Sequence, residues 1–231
     1  MNKILVTGGD GRFACELKKI KSKYEFIYFN KKQLNICNYD SIIKKIKKYK
    51  PKIILHLAGL SRPMKIHEKN INKSINLNII GTANLVKACS IYKIKIIYFS
   101  TSYIYSGIKG NYNENDPLLP WNNYGWSKLG GECAVQMYKN SLILRACMTQ
   151  KPFIHKKAYA NVKSNFIFHE DLVKIFLKII NKKGIYNIGG LSQSIYKFAK
   201  KNNLKIKKKY SKGEFPLNQN MSLEKLYKAL K

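Results

Sequence analysis

The sequence predicts an α/β protein with a doubly wound parallel sheet, and two observations support this fold class. Short apolar runs rich in β-branched residues alternate along the chain with longer segments of helical periodicity. A glycine-rich turn, Gly8-Gly9-Asp10-Gly11, joins the first apolar run to the first helical segment. The composition is that of an ordinary globular protein, with 45% hydrophobic residues in 231. Strands that alternate with helices in this way are typical of a parallel sheet covered on both faces.

The first strand, its turn and the helix that follows have the order of a phosphate-binding turn in a dinucleotide fold. Gly8 permits the tight turn, Gly11 lets the backbone approach a pyrophosphate, and Ala14 packs helix against strand. The helix N-terminus offers unpaired N–H groups to the phosphates. We therefore expect a Rossmann-like sheet, although a glycine-rich turn without a ligand is the alternative. The residues predicted to bind the cofactor here are Gly8, Gly11, Arg12 and Phe13.

The second strand, 25–29, predicts which cofactor the turn binds. An acidic residue at its end would bind the ribose 2′-hydroxyl of NAD, whereas a positive group accepts the 2′-phosphate of NADP. The acid is missing, and Asn30-Lys31-Lys32 follows the strand. We therefore expect NADPH, with NADH as the alternative. We predict that Arg12, Lys31 and Lys32 lie near its 2′-phosphate and that Arg12 and Lys31 bind the cofactor.

The chain continues with a helix over 40–49 and a third strand over 52–57. Ala58 and Gly59 follow this strand, and such small residues allow a dinucleotide to lie across the strand end. Both are predicted to bind the cofactor. The next predicted elements are a helix over 71–92, a strand over 94–99, a polar loop over 106–120, a helix over 121–139 and a strand over 142–145.

Beyond Ala146 the pattern is less regular. It predicts short strands over 165–168 and 185–188, and helices over 169–181, 193–201 and 222–230. We therefore predict a dinucleotide-binding domain over 1–147 and a reduced substrate-binding lobe over 148–231.

Tyr124 and Lys128 are the candidate acid–base pair, because residues four apart share one face of a helix. A nearby ammonium favours the phenolate, which lowers the pKa of a tyrosine and makes it a usable acid or base. The pattern Tyr-x-x-x-Lys occurs six times in the chain, so spacing alone selects nothing. Tyr124 is selected by its predicted helix, which follows a strand ending in Ser-Thr-Ser. A hydroxyl of Thr101 or Ser102 at that strand end is a candidate to hold a substrate carbonyl.

These motifs, in this order, resemble the extended short-chain dehydrogenase/reductases that act on nucleotide sugars. Within that branch the chain is most similar to the dTDP-4-dehydrorhamnose reductase family. The matching segments are Thr7 to Ala14, His56-Leu57-Ala58-Gly59, Asn78-Ile79-Ile80-Gly81-Thr82, Ser100-Thr101-Ser102-Tyr103-Ile104-Tyr105-Ser106-Gly107, Tyr124-Gly125-Trp126-Ser127-Lys128, Phe168-His169-Glu170-Asp171-Leu172 and Tyr186-Asn187-Ile188-Gly189-Gly190.

The resemblance implies an enzyme that reduces a 4-keto-6-deoxy nucleotide sugar with NAD(P)H, in the biosynthesis of deoxysugars or cell-surface polysaccharides. It implies Thr101, Tyr124 and Lys128 as the catalytic set. Tyr124 would protonate the C4 oxygen, Lys128 would hold the nicotinamide ribose, and Thr101 would orient the carbonyl. Only twenty-five residues separate Arg145 from Asp171, fewer than in the family, and this stretch normally builds the sugar-nucleotide pocket.

Two alternatives to the reductase stay open. One is a nucleotide-sugar epimerase or dehydratase of the same fold. The other is a non-catalytic protein that binds a dinucleotide or a polyanion. The missing acid after the second strand favours the reductase over the epimerase, because epimerases commonly use NAD.

Composition limits the partners. The formal net charge is +32, but lysine supplies nearly all of the positive charge and is spread along the chain. This favours a solvated surface, with non-specific polyanion binding at low salt and no specific nucleic-acid partner. We see no membrane span, no signal peptide and no metal motif, and the five scattered cysteines suggest a reduced, cytoplasmic protein. The expected partner is a nucleotide-diphosphate sugar, and a homodimer is left open.

Overall fold

The structure is a computed structural model, and it describes residues 3–231. Its strands are β1 (Lys3–Thr7), β2 (Glu25–Phe29), β3 (Ile53–His56), β4 (Lys95–Thr101), β5 (Ser141–Ala146), β6 (Met148–Thr149), β7 (Lys157–Tyr159), β8 (Lys163–Ser164), β9 (Ile167–Phe168), β10 (Gly184–Ile188), β11 (Gln193–Ser194) and β12 (Lys207–Lys209). Its α-helices are α1 (Arg12–Lys18), α2 (Tyr39–Tyr49), α3 (Ile66–Lys69), α4 (Ile71–Ser74), α5 (Gly81–Ile91), α6 (Asn123–Gln136), α7 (His169–Ile179), α8 (Ile195–Lys200) and α9 (Glu224–Leu230).

Six strands form one central sheet in the order β10-β5-β4-β3-β1-β2. β1 pairs in parallel with β2 on one side and with β3 on the other, and β3 pairs in parallel with β4. The chain order therefore reverses between β1 and β3. Ligands of such sheets bind outside the carboxyl ends of the strands at this reversal. The predicted fold class is confirmed, and the topology directs attention to the ends of β1 and β3.

The strands near the middle of this sheet are apolar on both faces, as expected for a parallel sheet covered by helices. Every residue of β3 and β4 is buried. Leu5, Ile54 and Ile96 of the sheet pack in one hydrophobic core with Ile42 of α2 and Leu85 of α5. Each such side chain contributes roughly 1.5–3 kcal/mol to stability when it is fully buried.

The segment predicted as one helix over 71–92 is divided. α4 and α5 are joined by a π-helical turn, Ile75–Ile80, and the short helix α3 precedes them. π-helical turns occur mostly as local insertions, frequently at functional sites. Here the turn carries Asn78, whose side chain makes three hydrogen bonds described below.

The chain folds into two compact units. The first unit comprises the chain up to Ser100, 122–144 and 180–185, and the second comprises 101–121, 145–179 and 186–231. The predicted boundary between residues 147 and 148 differs from this division in three segments. The segments 101–121 and 145–147 belong to the second unit. 180–185 belongs to the first unit, where the buried Lys95 ammonium donates hydrogen bonds to the carbonyl oxygens of Ile180 and Lys182.

The second unit has a core and a buried polar network of its own. Phe153, Phe168 and Phe198 belong to its hydrophobic core. Arg145 is buried and donates hydrogen bonds to the Tyr105 hydroxyl (2.8 Å) and to a backbone oxygen. Three pairs of short strands, β6–β9, β7–β12 and β8–β11, complete this unit.

Candidate active site

The glycine turn after β1 is built around close backbone contacts. Gly8 has φ +68°, and a Cβ added there would lie 2.7 Å from the backbone nitrogen of Ala58. Only glycine therefore lets the end of β1 approach the end of β3 this closely. The Gly11 N–H donates to the carbonyl oxygen of Gly8 (2.9 Å), and a Cβ on Gly11 would lie 3.0 Å from that oxygen. The turn is a cradle without side chains, which fits the pyrophosphate of a dinucleotide.

The other residues predicted to bind the cofactor around this turn differ in exposure. Arg12 and Gly59 are exposed and Ala58 is half-buried. The side chain of Phe13 is buried, with its ring centroid 4.6 Å from that of Phe99. The side chain of Phe13 therefore belongs to the core, which leaves only its backbone to contact a cofactor.

Positive charge follows β2. Asn30 Oδ1 accepts hydrogen bonds from the backbone nitrogens of Lys32 (3.0 Å) and Gln33 (3.1 Å), so its side chain is used to close a turn. Lys31 is exposed in this turn. The Gly9 N–H donates to the carbonyl oxygen of Phe29 (2.8 Å), which ties the glycine turn to the end of β2. Asn30 carries no charge, so the charge that follows the strand is that of Lys31 and Lys32.

A chain of buried hydroxyl and imidazole groups runs from β1 to α5. Thr82 Oγ1 donates its only proton to the backbone oxygen of Asn78 (2.8 Å). Thr82 Oγ1 must therefore accept from His56 Nε2 (3.0 Å), so Nε2 carries the imidazole proton. His56 Nδ1 is then the acceptor for the Thr7 hydroxyl (2.9 Å), and Thr7 accepts from the N–H of Ala58 (3.1 Å). Burial and the Lys128 charge lower the pKa of His56 to about 3, so its imidazole is neutral.

Asn78 extends this chain to α6. Its Oδ1 accepts from the N–H of Leu60 (2.7 Å), and its Nδ2 donates to the Leu60 oxygen (2.9 Å) and to Ser127 Oγ (2.9 Å). The Ser127 hydroxyl in turn donates to the carbonyl oxygen of Tyr124 (2.8 Å). The π-helical turn thus fixes both the loop after β3 and the first turn of α6.

α6 places Tyr124 and Lys128 one turn apart, as predicted. The helix begins after Asn122, whose side-chain oxygen accepts from the N–H of Gly125 (2.7 Å). Tyr124 is half-buried and Lys128 is buried. Burial lowers the pKa of Lys128 to about 7, and the Glu132 carboxylate opposes this shift. A lysine that titrates near neutrality beside a tyrosine is an arrangement suited to proton transfer.

His67 packs against Tyr124 and was not predicted from the sequence. The two ring centroids are 5.1 Å apart, and His67 Nδ1 lies 2.5 Å from Ser74 Oγ. Its Nε2 is buried and has no hydrogen-bond partner within residues 3–231. The neighbouring Glu68 accepts a hydrogen bond from Asn123 (2.5 Å), so α3 contacts the first turn of α6 twice. No motif of the sequence marked α3, because its four residues are too few to show a helical period.

Thr101, the third predicted catalytic residue, ends β4 and belongs to the second unit. Its side chain is buried, and Oγ1 accepts from the backbone nitrogen of Tyr103 (3.3 Å) at the start of a single 3-10 turn. The threonine hydroxyl therefore keeps its own proton for donation.

Some other sequence expectations concern features of the whole chain. The five cysteines are free. Across the described range 3–231, no group of three or more metal-ligating side chains lies close enough to hold an ion. None of the helices in that range combines the length and the apolar character needed to cross a bilayer.

Two curated proteins illustrate the relatives of this chain. The dTDP-4-dehydrorhamnose reductase of Aggregatibacter actinomycetemcomitans is 29% identical over 154 residues, which cover 64% of this chain and 52% of that protein. The spore coat polysaccharide biosynthesis protein SpsK of Bacillus subtilis (strain 168) is 31% identical over 180 residues, which cover 76% of this chain and 59% of that protein. The chain thus spans between about half and three-fifths of the length of these two relatives.

A solved structure and a family model complete the comparison. The crystal structure of a dTDP-4-dehydrorhamnose reductase from Bacillus anthracis in complex with NADP superposes with a TM-score of 0.87 at 22% identity, covering 98% of this chain and 91% of that one. This likeness shows a shared fold. The model of the RmlD substrate binding domain matches residues 1–159, well over half of the sequence. The chain therefore belongs to the RmlD substrate binding domain family.

Proposed function

We propose that this protein is an NADPH-dependent reductase of a 4-keto-6-deoxy nucleotide sugar, acting in deoxysugar or cell-surface polysaccharide biosynthesis. One observation carries the proposal. Tyr124 and Lys128 lie one turn apart on α6, and a continuous set of buried hydrogen bonds ties that helix to the glycine turn after β1. The names of the relatives, a dTDP-4-dehydrorhamnose reductase and a polysaccharide biosynthesis protein, support the same class of substrate.

The roles proposed for the residues are those that the resemblance implies, and the environments of Tyr124 and Lys128 are compatible with them. NADPH, when bound, supplies the hydride. Tyr124 donates its phenolic proton to the C4 oxygen of the sugar, so that the carbonyl becomes a hydroxyl. Lys128, held beside it, stabilises the phenolate that remains and binds the nicotinamide ribose. That Thr101 orients the carbonyl stays a prediction from the resemblance.

The cofactor is assigned from charge. Gly8, Gly11 and Gly59 place backbone without side chains at the ends of β1 and β3, and Arg12 and Lys31 are exposed positive groups near the glycine turn and the end of β2. A 2′-phosphate is a partner for such groups, and a bare 2′-hydroxyl is not. We therefore place the 2′-phosphate of NADPH near Arg12 and Lys31, and expect tighter binding of NADPH than of NADH.

A second candidate is a protein that binds the dinucleotide without catalysis. Only twenty-five residues lie between Arg145 and Asp171, the stretch that builds the sugar pocket in the resembled family. A chain with this shortened segment would bind NADPH and leave every sugar unreduced.

The test is NADPH consumption with a panel of dTDP-, UDP- and GDP-linked 4-keto-6-deoxy sugars. On the best substrate, Tyr124→Phe is expected to lower turnover by roughly 10²–10⁴-fold, because phenylalanine keeps the ring and cannot donate a proton. NADPH binding, followed by fluorescence, is expected to persist. Tyr28→Phe is the matched control, since Tyr28 also has a lysine four residues on but lies on β2. Near-normal turnover of Tyr124→Phe would contradict the assignment, and NADPH binding with no turnover on any sugar would favour the second candidate.

Two finer points belong to the proposal as well. We place the reaction in the cytoplasm, which the free state of all five cysteines supports. A homodimer is the assembly to test by light scattering on purified protein.

A further inference from the structure

The ammonium of Lys128 needs compensation for its burial. Lys128 is only 8% exposed, so most of the water that would hydrate its charge is gone. Loss of hydration favours the neutral amine, and the pKa of Lys128 falls to about 7. Glu132, one turn further along α6 and fully buried, favours the charged form. A second compensating group lies on the neighbouring strand.

Tyr98 of β4 contacts Lys128 at two points. The Lys128 Nζ lies 4.0 Å from the centroid of the Tyr98 ring, within the range of a cation–π contact. The Tyr98 hydroxyl donates to the backbone oxygen of Lys128 (3.0 Å). Burial raises the pKa of Tyr98 well above its ordinary value, so the hydroxyl keeps the proton that it donates. One side chain therefore holds both the main chain and the ammonium of Lys128.

Tyr98 is itself fixed by its surroundings. It is fully buried, it lies opposite His56 in the β3–β4 register, and the two ring centroids are 5.5 Å apart. On the other side, Gly131 lets α6 approach β4 closely. A Cβ on Gly131 would lie 2.8 Å from the Tyr98 hydroxyl and 2.3 Å from the backbone oxygen of Asn78. The absence of that Cβ allows the phenol to reach the helix.

We propose that Tyr98 is a positioning residue whose ring face keeps the Lys128 ammonium charged. The role in reduction rests on the function proposed above for Lys128, whereas the charge of Lys128 is measurable without turnover. No motif of the sequence assigns this role to Tyr98.

The titratable groups around this contact come from three elements. Tyr98 itself lies on β4, His56 lies on β3, and Tyr124, Glu132 and Cys133 lie on α6. His56 is neutral above about pH 3, and Glu132 is the same in every variant considered below. A change in the titration of Lys128 on replacing Tyr98 therefore reports on the ring.

The experiment separates the two contacts of Tyr98. Lysine labelled with ¹³C at Cε gives the titration of Lys128 by NMR, with its signal assigned from the Lys128→Met variant. Tyr98→Phe removes the hydroxyl and keeps the ring, so the titration midpoint is expected to stay where it is in the parent. Tyr98→Leu removes both contacts, and the midpoint is expected to fall by about one unit, a tenfold change in the ratio of ammonium to amine. If Tyr98→Leu fails to fold, Tyr98→Met, with an unbranched side chain that adapts to the space, replaces it.

Activity supplies the second measurement. In Tyr98→Leu, the loss of kcat/KM on the alkaline side is expected to begin about one pH unit lower than in the parent, whereas Tyr98→Phe is expected to follow the parent. An unchanged midpoint for Lys128 in the leucine or methionine variant overturns the inference. A lowered midpoint together with no turnover by the parent on any sugar supports the inference and counts against the proposed function.

Discussion

His56→Leu is the sharpest test of the buried hydrogen bonds that run from β1 to α5, because His56 is their central member and is 1% exposed. The substitution removes the bonds to Thr7 and Thr82 and keeps an apolar side chain at the site. Thr7 still accepts from the Ala58 N–H, and Thr82 still donates to the Asn78 oxygen. Two lost bonds at about 0.5–1.5 kcal/mol each predict a loss of about 1–3 kcal/mol at pH 8. For a domain of this size the melting temperature falls by roughly 2–4 °C per kcal/mol.

The same substitution changes the dependence of stability on pH, with a sign set by the titration of His56. Its pKa is about 3 in the folded chain because of burial and, secondarily, the Lys128 charge, against about 6.5 in an unfolded chain. Between these values only the unfolded chain binds the proton. The parent therefore loses about 1.4 kcal/mol of stability for each unit by which the pH falls through this window. His56→Leu has no imidazole at this position, so its stability does not fall for this reason. For a penalty of about 2 kcal/mol at pH 8, the two stability curves cross near about pH 5.

Urea unfolding followed by circular dichroism at several pH values between 4 and 8 measures both effects. Thr82→Val is the matched control, because it removes one bond to the imidazole and keeps the imidazole itself, so its curve is expected to run parallel to that of the parent. A difference between His56→Leu and the parent that stays constant over this range would refute the buried, neutral state of His56. Equal stability of His56→Leu and the parent at pH 8 would refute the stabilising effect of the two hydrogen bonds made by His56.

Three further predictions concern the glycine turn, the cofactor and a buried lysine. Gly8→Ala is expected to lose NADPH binding and to be less stable than Gly184→Ala by about 1–3 kcal/mol, because both glycines have positive φ but only Gly8 would press a Cβ onto Ala58. Thermal melts and fluorescence titration measure these two effects, and equal behaviour of the two variants would argue against the close contact between Gly8 and Ala58. Lys31→Glu is expected to weaken NADPH binding by about 10–100-fold and NADH binding much less; an equal effect on both cofactors would remove Lys31 from the 2′-phosphate site. Lys95→Met keeps the aliphatic stem and removes two hydrogen bonds to backbone oxygens, so the free energy of unfolding in urea is expected to fall by about 2–4 kcal/mol. An unchanged free energy of unfolding would show that the Lys95 ammonium is dispensable for stability.

The strands and long helices of the sheet were predictable because each carries a strong local pattern. The helix predicted over 40–49 is found at Tyr39–Tyr49, and the strand predicted over 142–145 is found at Ser141–Ala146. The short strands of the second unit were mostly missed. Pairs such as β7–β12 join segments about fifty residues apart in sequence, and each strand has only two or three residues. A pattern of that length carries no period.

In the candidate site, too, features formed by neighbouring residues could be predicted and contacts between distant residues could not. The glycine turn and the pair Tyr124 and Lys128 were predicted, because each is contained within a few consecutive residues. His67 and Tyr98 were not predicted as parts of it, since His67 reaches Tyr124, and Tyr98 reaches Lys128, only through tertiary packing. Hydrogen bonds between distant buried groups leave no spacing in the sequence that identifies them.

The six occurrences of Tyr-x-x-x-Lys show that spacing alone does not identify a catalytic pair. Tyr196 and Lys200 also lie one turn apart on a helix, α8, with the same relation as Tyr124 and Lys128. The Lys200 ammonium, however, donates to the carbonyl oxygen of Leu204, and Lys200 is only partly buried. Lys128 instead is buried against the ring of Tyr98, and desolvation brings its pKa to about 7 although the Glu132 carboxylate opposes this shift. The chemistry expected of the pair on α6 therefore follows from the residues that bury it, whereas the spacing provides only a shared helix face.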